Sequence, residues 1–76
     1  MLLEQDENQC VPDSSMINRV EYTPANQTLY VIFNNNSVYG FEGVQPELFD
    51  GLCKAPSAGQ FFNRQIRDKY SYTRLQ

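Results

Sequence analysis

The residues best suited to chemistry lie near the C-terminus, in the run SAGQFFNRQIRDKY at positions 57 to 70. Ser57-Ala58-Gly59 fits the start of a helix, where free backbone N–H groups and the positive end of the helix dipole favour a phosphate or carboxylate. Arg64 and Arg67 follow, with Lys54, Lys69 and Arg74 nearby, and Tyr70 and Tyr72 interleave with Lys69 and Arg74. Cations alternating with aromatic rings suit a nucleic-acid strand, the rings stacking on bases and the cations meeting the backbone. The same residues have a purely structural reading. Ser57 with Gln60 forms an S-x-x-Q capping box. Gly59 admits close packing against a first helix or Tyr39, and Arg64 pairs with Asp68 at i, i+4 on a solvated face.

Other chemistries lack their parts. With no histidine in the chain, a Ser-His-Asp or Cys-His nucleophile cannot be built from it. Two cysteines cannot close a four-ligand zinc site. Cys10 and Cys53 form no C-x-x-C motif; free thiols are the expectation in a reducing cytoplasm, with a disulfide as the alternative. The acidic residues Glu4, Asp6 and Glu7 fall on the N-terminal stretch, and no carboxylate pair has a spacing that implies a site. The expectation is a protein that is not an enzyme and uses no cofactor and no metal.

Net charge is −3, but it is unevenly placed. Residues 1–50 carry eight carboxylates against Arg19 alone, whereas residues 51–76 carry five cations against Asp68 alone. This polarity suits a basic binding face, or attraction between the two halves within or between chains. No apolar run is long enough to span a membrane, and the acidic N-terminus lacks the basic start of a signal peptide. A cytoplasmic location is therefore expected, and the sequons at Asn26 and Asn35 are taken as chance.

The elements that must position these residues follow from pattern. Residues 1–13 are polar and acidic without periodicity, an expected loosely ordered arm from which Met1 to Leu3 can dock on an apolar surface. Residues 16–22 alternate in part, with Met16, Val20 and Tyr22 on one parity, and predict a first strand. Thr23 to Asn26 is a turn. Residues 28–33 (TLYVIF) are the clearest strand, and Asn34-Asn35-Asn36 turns the chain into a third strand over 37–42, an antiparallel hairpin. Both faces of this hairpin are apolar. Leu29, Val31 and Phe33 oppose Tyr30 and Ile32 across one strand, and Tyr39 and Phe41 oppose Val38 and Gly40 across the next. Helices cover one face; the arm, the tail or a second chain covers the other.

Pro46 suits the first position of a short helix bearing Leu48, Phe49, Leu52 and Cys53 as its apolar stripe, with Ala55-Pro56 as its stop. In the second helix, 100° per residue from Phe62 places Ile66 and Tyr70 at about +40° and +80°, and Ala58 about 40° to the other side. These bury, while Gln60, Arg64 and Arg67 face water and Phe61 sits on the flank. The predicted fold class is α+β: a three-stranded antiparallel sheet with two helices packed on one face. The predicted organisation is an arm over 1–13, a domain over 14–70 and a tail over 71–76.

The order of these motifs resembles the KTSC domain, a module at the C-terminus of some lysyl-tRNA synthetases and a stand-alone protein in bacteria and phages. The resemblance runs from about Val11 to Tyr70. It is carried by Ser14-Ser15, Ile17 and Tyr22; by Leu29, Val31 and Phe33; by Tyr39-Gly40-Phe41, standing where the family has Tyr-x-Tyr; and by Val44. Its most specific part is S-x-G-x-F-F-N-x-x-I-R-x-x-Y, from Ser57 through Gly59, Phe62-Asn63, Ile66 and Arg67 to Tyr70, with Ala55 before it. The chain departs from the family in the hairpin turn, where Asn34 to Asn36 replace the usual glycine and also tolerate left-handed dihedrals. It departs again at Phe41, which lacks a hydroxyl for a ligand. The resemblance implies no catalytic residues and carries a suggestion of RNA binding.

The leading expectation is a small binding module for RNA or a nucleotide-like phosphate ligand, at Ser57, Gly59, Asn63, Arg64, Arg67, Tyr70 and Tyr39. Tyr30, Ile32 and Phe41 are the expected interface, and a homo-oligomer is one way to cover them. The competing readings are a phage-encoded module that antagonises a host protein through its apolar face or acidic arm, and an oligomeric sponge for a host nucleotide signal. No membrane partner is expected.

Overall fold

A computed structural model describes residues 8–12 and 14–76. The expected docking of Met1 to Leu3, and most of the acidic arm, lies outside those residues. The chain runs β1 (Gln9–Cys10), β2 (Ile17–Thr23), β3 (Thr28–Phe33), β4 (Val38–Phe41), α1 (Pro46–Lys54), α2 (Ala58–Gln65) and β5 (Tyr72–Arg74). The sheet is antiparallel throughout, in the order β1-β2-β3-β4-β5. The α+β class and two helices are as expected, but the sheet has five strands, not three. The two extra strands come from segments read as arm and tail. Each is short and sits on an edge, where its neighbour's unpaired N–H and C=O groups supply the order that its own sequence does not. β5 aligns Tyr72 with Phe41 and Arg74 with Tyr39. Backbone bonds from Glu42 N–H to Ser71 O (3.0 Å) and from Val38 N–H to Gln76 O (3.0 Å) extend the pairing beyond both its ends.

Within β2 the expected parity shifts. The register slips between Ile17 and Arg19, an irregularity that leaves Asn18 unpaired. One extra residue moves the side chains before it to the other face. Ile17 therefore joins Val20 and Tyr22 in the core, and Met16, expected inside, is 37 % exposed. In the β3–β4 turn Asn36 has φ +72°, the left-handed conformation that asparagine tolerates at a position the resemblance gives to glycine.

The helices cover the sheet face that carries Val20, Tyr22, Leu29 and Val31, all buried. In α1, Pro46 occupies the start of the helix and Phe49 and Leu52 are buried. The Tyr22 ring stacks on Phe49 with centroids 5.3 Å apart, and its hydroxyl donates to Val44 O. Burial, with a smaller contribution from the Glu47 carboxylate, holds that hydroxyl above the ordinary tyrosine range. The helices approach closely at Gly51, where an added Cβ would lie 2.9 Å from Phe61 Cζ. Gly59 is not at that approach: it faces Met16 and Ser14.

In α2 the Ser57 hydroxyl accepts from Gln60 N–H at 3.4 Å, as the capping box predicts. The helix ends earlier than expected. Ile66 leaves helical geometry at φ −124°, and its N–H and that of Arg67 both donate to Phe62 O. Ile66 is still fully buried and Tyr70 still packs on the core, but from a turn. Arg64 and Asp68 do not pair; the ion pairs among the described residues are Arg19–Glu21 and Asp50–Lys54.

The expectation of free thiols is overturned. Cys10 and Cys53 form a disulfide with Cα atoms 6.1 Å apart. Pairing of Cys10 opposite Val20 brings it over the core beside α1, an approach that 43 intervening positions of sequence do not announce.

Candidate functional site

Where β5 completes the sheet, the aromatic side chains of three strands gather beyond the end of α2. Phe33 of β3, Tyr39 and Phe41 of β4 and Tyr72 of β5 share the helix-side face, because Val31 pairs with Tyr39 and Phe41 with Tyr72. Phe33 meets Tyr39 edge-on at 5.6 Å, and Tyr39 meets Tyr72 at 5.2 Å. The Arg74 guanidinium lies 5.7 Å from the Tyr39 ring centroid, a cation–π placement that holds a charge at the rim. Phe62 backs the cluster with its edge to Phe33 and Phe41.

Against this aromatic wall stands a polar one: Asn63 from α2, and Arg67 and Asp68 from the turn after it. Together with the β3–β4 turn they enclose a cleft of about 660 Å³, within the range of small-molecule sites. Arg67 makes no ion pair among the described residues. Arg67 and Asp68 are the charged side chains of the cleft lining, and Arg74, held over the Tyr39 ring, adds a positive charge nearby.

Three of the seven residues expected to bind ligand therefore meet in one place: Tyr39, Asn63 and Arg67. Ser57 and Arg64 do not join them. They line a separate groove of about 230 Å³ with Pro56, Gln60 and Phe61. Gly59 packs toward Met16, and Tyr70 is half-buried on the core. Of the expected interface residues, Tyr30 and Ile32 lie on the opposite, open face. Phe41 does not: at 2 % exposure it belongs to the core, on the side that borders the cleft. Sequence reasoning missed Phe33, Asn34, Asn35 and Ser37, and named Tyr72 and Arg74 without placing them beside Tyr39. The available signal was the alternation of Tyr72 and Arg74, which puts both on one face once residues 72–74 are a strand.

Among the described residues no group of three His, Cys, Asp or Glu is placed to hold a metal ion, and no helix is long and apolar enough to cross a membrane.

Comparison with known proteins fits this architecture. A lysine–tRNA ligase of Nostoc punctiforme is 38 % identical over 64 residues, covering 84 % of this chain. The chain spans only 11 % of that relative's length. An uncharacterized protein of Stutzerimonas stutzeri is 35 % identical over 63 residues, which cover 82 % of this chain and 89 % of that one. The crystal structure of a KTSC domain protein from Yersinia pestis superposes with a TM-score of 0.83 at 26 % identity, covering 90 % of this chain and 96 % of that one. The KTSC domain model matches residues 13–70, from just before Ser14, whose hydroxyl accepts the Met16 and Ile17 N–H groups, to Tyr70 on the core, and the chain belongs to the KTSC domain family.

Proposed function

We propose that this domain is a non-catalytic binding module that holds a single-stranded RNA segment or a nucleotide in the cleft between Tyr39 and Arg67. One observation carries this reading: an aromatic wall (Phe33, Tyr39, Tyr72) and Arg67 line the same cleft, with Arg74 held over the Tyr39 ring. Rings accept a base by stacking, and the guanidinium groups accept the phosphate that follows it. The C-terminal place of this module in lysine–tRNA ligases is consistent with an RNA partner. A cytoplasmic setting belongs to the same proposal; there the Cys10–Cys53 bridge exchanges with the thiol pool, so the oxidised fraction depends on the local redox poise.

The test is a titration with a single-stranded octaribonucleotide at 50 and 200 mM salt. Affinity falls with salt, and Arg67→Ala with Arg74→Ala lowers the slope of log K against log salt by about 2, roughly 1 for each phosphate no longer neutralised. Arg64→Ala, in the separate groove, leaves both affinity and slope unchanged. Equal binding by wild type and the double variant sinks the proposal.

A second reading has its own observation. Tyr30 and Ile32 lie on the sheet face that the helices leave open, and Leu75 next to them is 55 % exposed. A protein partner, or a second copy of the chain, would bind there independently of Arg67. Tyr30→Ser with Ile32→Ser then abolishes association in sedimentation or pull-down while RNA binding persists.

A further inference from the structure

The cleft carries a feature that neither stacking nor phosphate binding needs. Ser37 is the buried polar residue among those described, 8 % exposed, and it lines the cleft. Its backbone is satisfied: its N–H donates to Asn35 Oδ1 at 3.0 Å and its carbonyl accepts from Phe33 N–H at 2.9 Å. Its hydroxyl makes no hydrogen bond among the described residues and is not fully enclosed, and the residue lines the cleft. A hydroxyl free of protein partners can donate or accept, and the cleft is where a partner can come from.

Its neighbours are held in complementary states. Asn34 donates its Nδ2 to Ser15 O at 2.6 Å, which fixes the amide and leaves Oδ1 as a free acceptor. Asn35 accepts on Oδ1 from Ser37 N–H, which leaves its Nδ2 as a free donor. An acceptor, a donor and a hydroxyl thus line one cleft together with aromatic rings and Arg67. A nucleobase edge presents a donor beside an acceptor, and its ring is flat. We infer that the cleft takes one unpaired nucleotide, the base edge held by Ser37, Asn34 and Asn35, the base face by Phe33 and Tyr39, and the phosphate by Arg67. This deepens the proposed function and rests on it. The same chemistry is offered by a free mononucleotide and by an unstacked residue of single-stranded RNA. It is not offered by a paired base in a duplex, whose edge is engaged.

The experiment is calorimetric titration of the full chain with AMP, GMP, CMP and UMP, with inorganic phosphate alone, with a single-stranded octaribonucleotide and with duplex RNA. At least one mononucleotide binds and displaces the octamer; phosphate alone and duplex RNA do not. Ser37→Ala removes one atom from a cleft wall and keeps the wild-type unfolding midpoint, yet weakens the mononucleotide about five- to tenfold, the worth of one buried hydrogen bond. Asn63→Ala, exposed on the helix wall, serves as the second variant and weakens binding by a smaller factor. If the octamer binds through Arg67 but no mononucleotide binds or displaces it, the single-nucleotide inference is overturned and the binding-module proposal stands. Phosphate binding as tightly as the mononucleotides, or an undiminished Ser37→Ala, also overturns the inference. If neither octamer nor mononucleotide binds, both fall.

Discussion

Replacing Cys10 and Cys53 by serine removes the one covalent tie between β1 and the body of the domain. The bridge closes a loop spanning 43 positions. In the loop-entropy model, a loop of that size restricts the unfolded chain by about 4 kcal/mol. A 76-residue domain has a total stability on the order of 4–11 kcal/mol, so the loss is a large fraction of the whole. At roughly 2.1 cal/mol/K per residue the unfolding entropy is about 0.16 kcal/mol/K, and the midpoint falls by about 20–25 °C. The effect is local as well as global. β1 pairs with β2 at just two positions, Gln9 with Glu21 and Cys10 with Val20, too few to hold a strand unaided. The assay is urea unfolding of the oxidised wild type and of Cys10→Ser/Cys53→Ser, followed by tyrosine fluorescence and far-ultraviolet circular dichroism. Amide exchange at residues 9 and 10 is measured alongside. The double variant loses at least 2 kcal/mol and exchanges freely at both residues. Equal stability within 1 kcal/mol, or two titratable thiols in the unreduced unfolded wild type, refutes the reasoning.

Four further outcomes follow from the packing and backbone. Gly51→Ala puts a methyl 2.9 Å from Phe61 Cζ; overpacking of about 1–3 kcal/mol exceeds the gain of about 1 kcal/mol in helix propensity, so chemical denaturation shows a net loss. Gly59→Ala, whose methyl meets Met16 at an ordinary 3.5 Å, raises stability by about 0.5 kcal/mol in the same assay. The raised Tyr22 hydroxyl makes a pH prediction with a definite sign. Its stabilising effect is complete below about pH 10, the ordinary tyrosine value, and is lost as pH rises toward the higher folded value, because the unfolded chain ionises first. Alkaline unfolding curves therefore steepen above pH 10 in wild type and less so in Tyr22→Phe. At φ +72°, Asn36→Ala costs about 1 kcal/mol while Asn36→Gly costs nothing measurable by denaturant titration.

Much of the scaffold was legible in the residues themselves. TLYVIF reads as a strand from composition alone, Pro46 and Ser57 mark helix starts, and Leu52 and Phe62 are buried as their helical phase requires. What was not legible depends on other segments. β1 and β5 have no pattern of their own to announce them; they exist because β2 and β4 present unpaired edges. The irregularity after Ile17 exchanges Met16 for Ile17 in the core without any signal of composition. Ile66 turning into the core ends α2 before Asp68, which removes the expected Arg64–Asp68 pair.

The candidate site divides on the same line. Residues close in sequence were found together, as with Asn63 on α2 and Arg67 in the turn after it. Those that reach the cleft from elsewhere were not: Phe33 and Ser37 come to Tyr39 only through sheet register. Ser57 and Arg64 are close to Asn63 in sequence, yet the helix carries them to a different groove. Proximity along a helix was read as proximity in a site, and rotation about the helix axis decides otherwise.

The central claim, that ligand enters between Tyr39 and Arg67, is tested most directly by a nitrogen-15 correlation spectrum titrated with a single-stranded octaribonucleotide. Shifts confined to Ser37, Tyr39, Asn63, Arg67 and Tyr72, with Ser57, Arg64, Tyr30 and Ile32 unmoved, are the predicted result. Shifts centred on Ser57 and Arg64, or on the open face at Tyr30 and Ile32, contradict it.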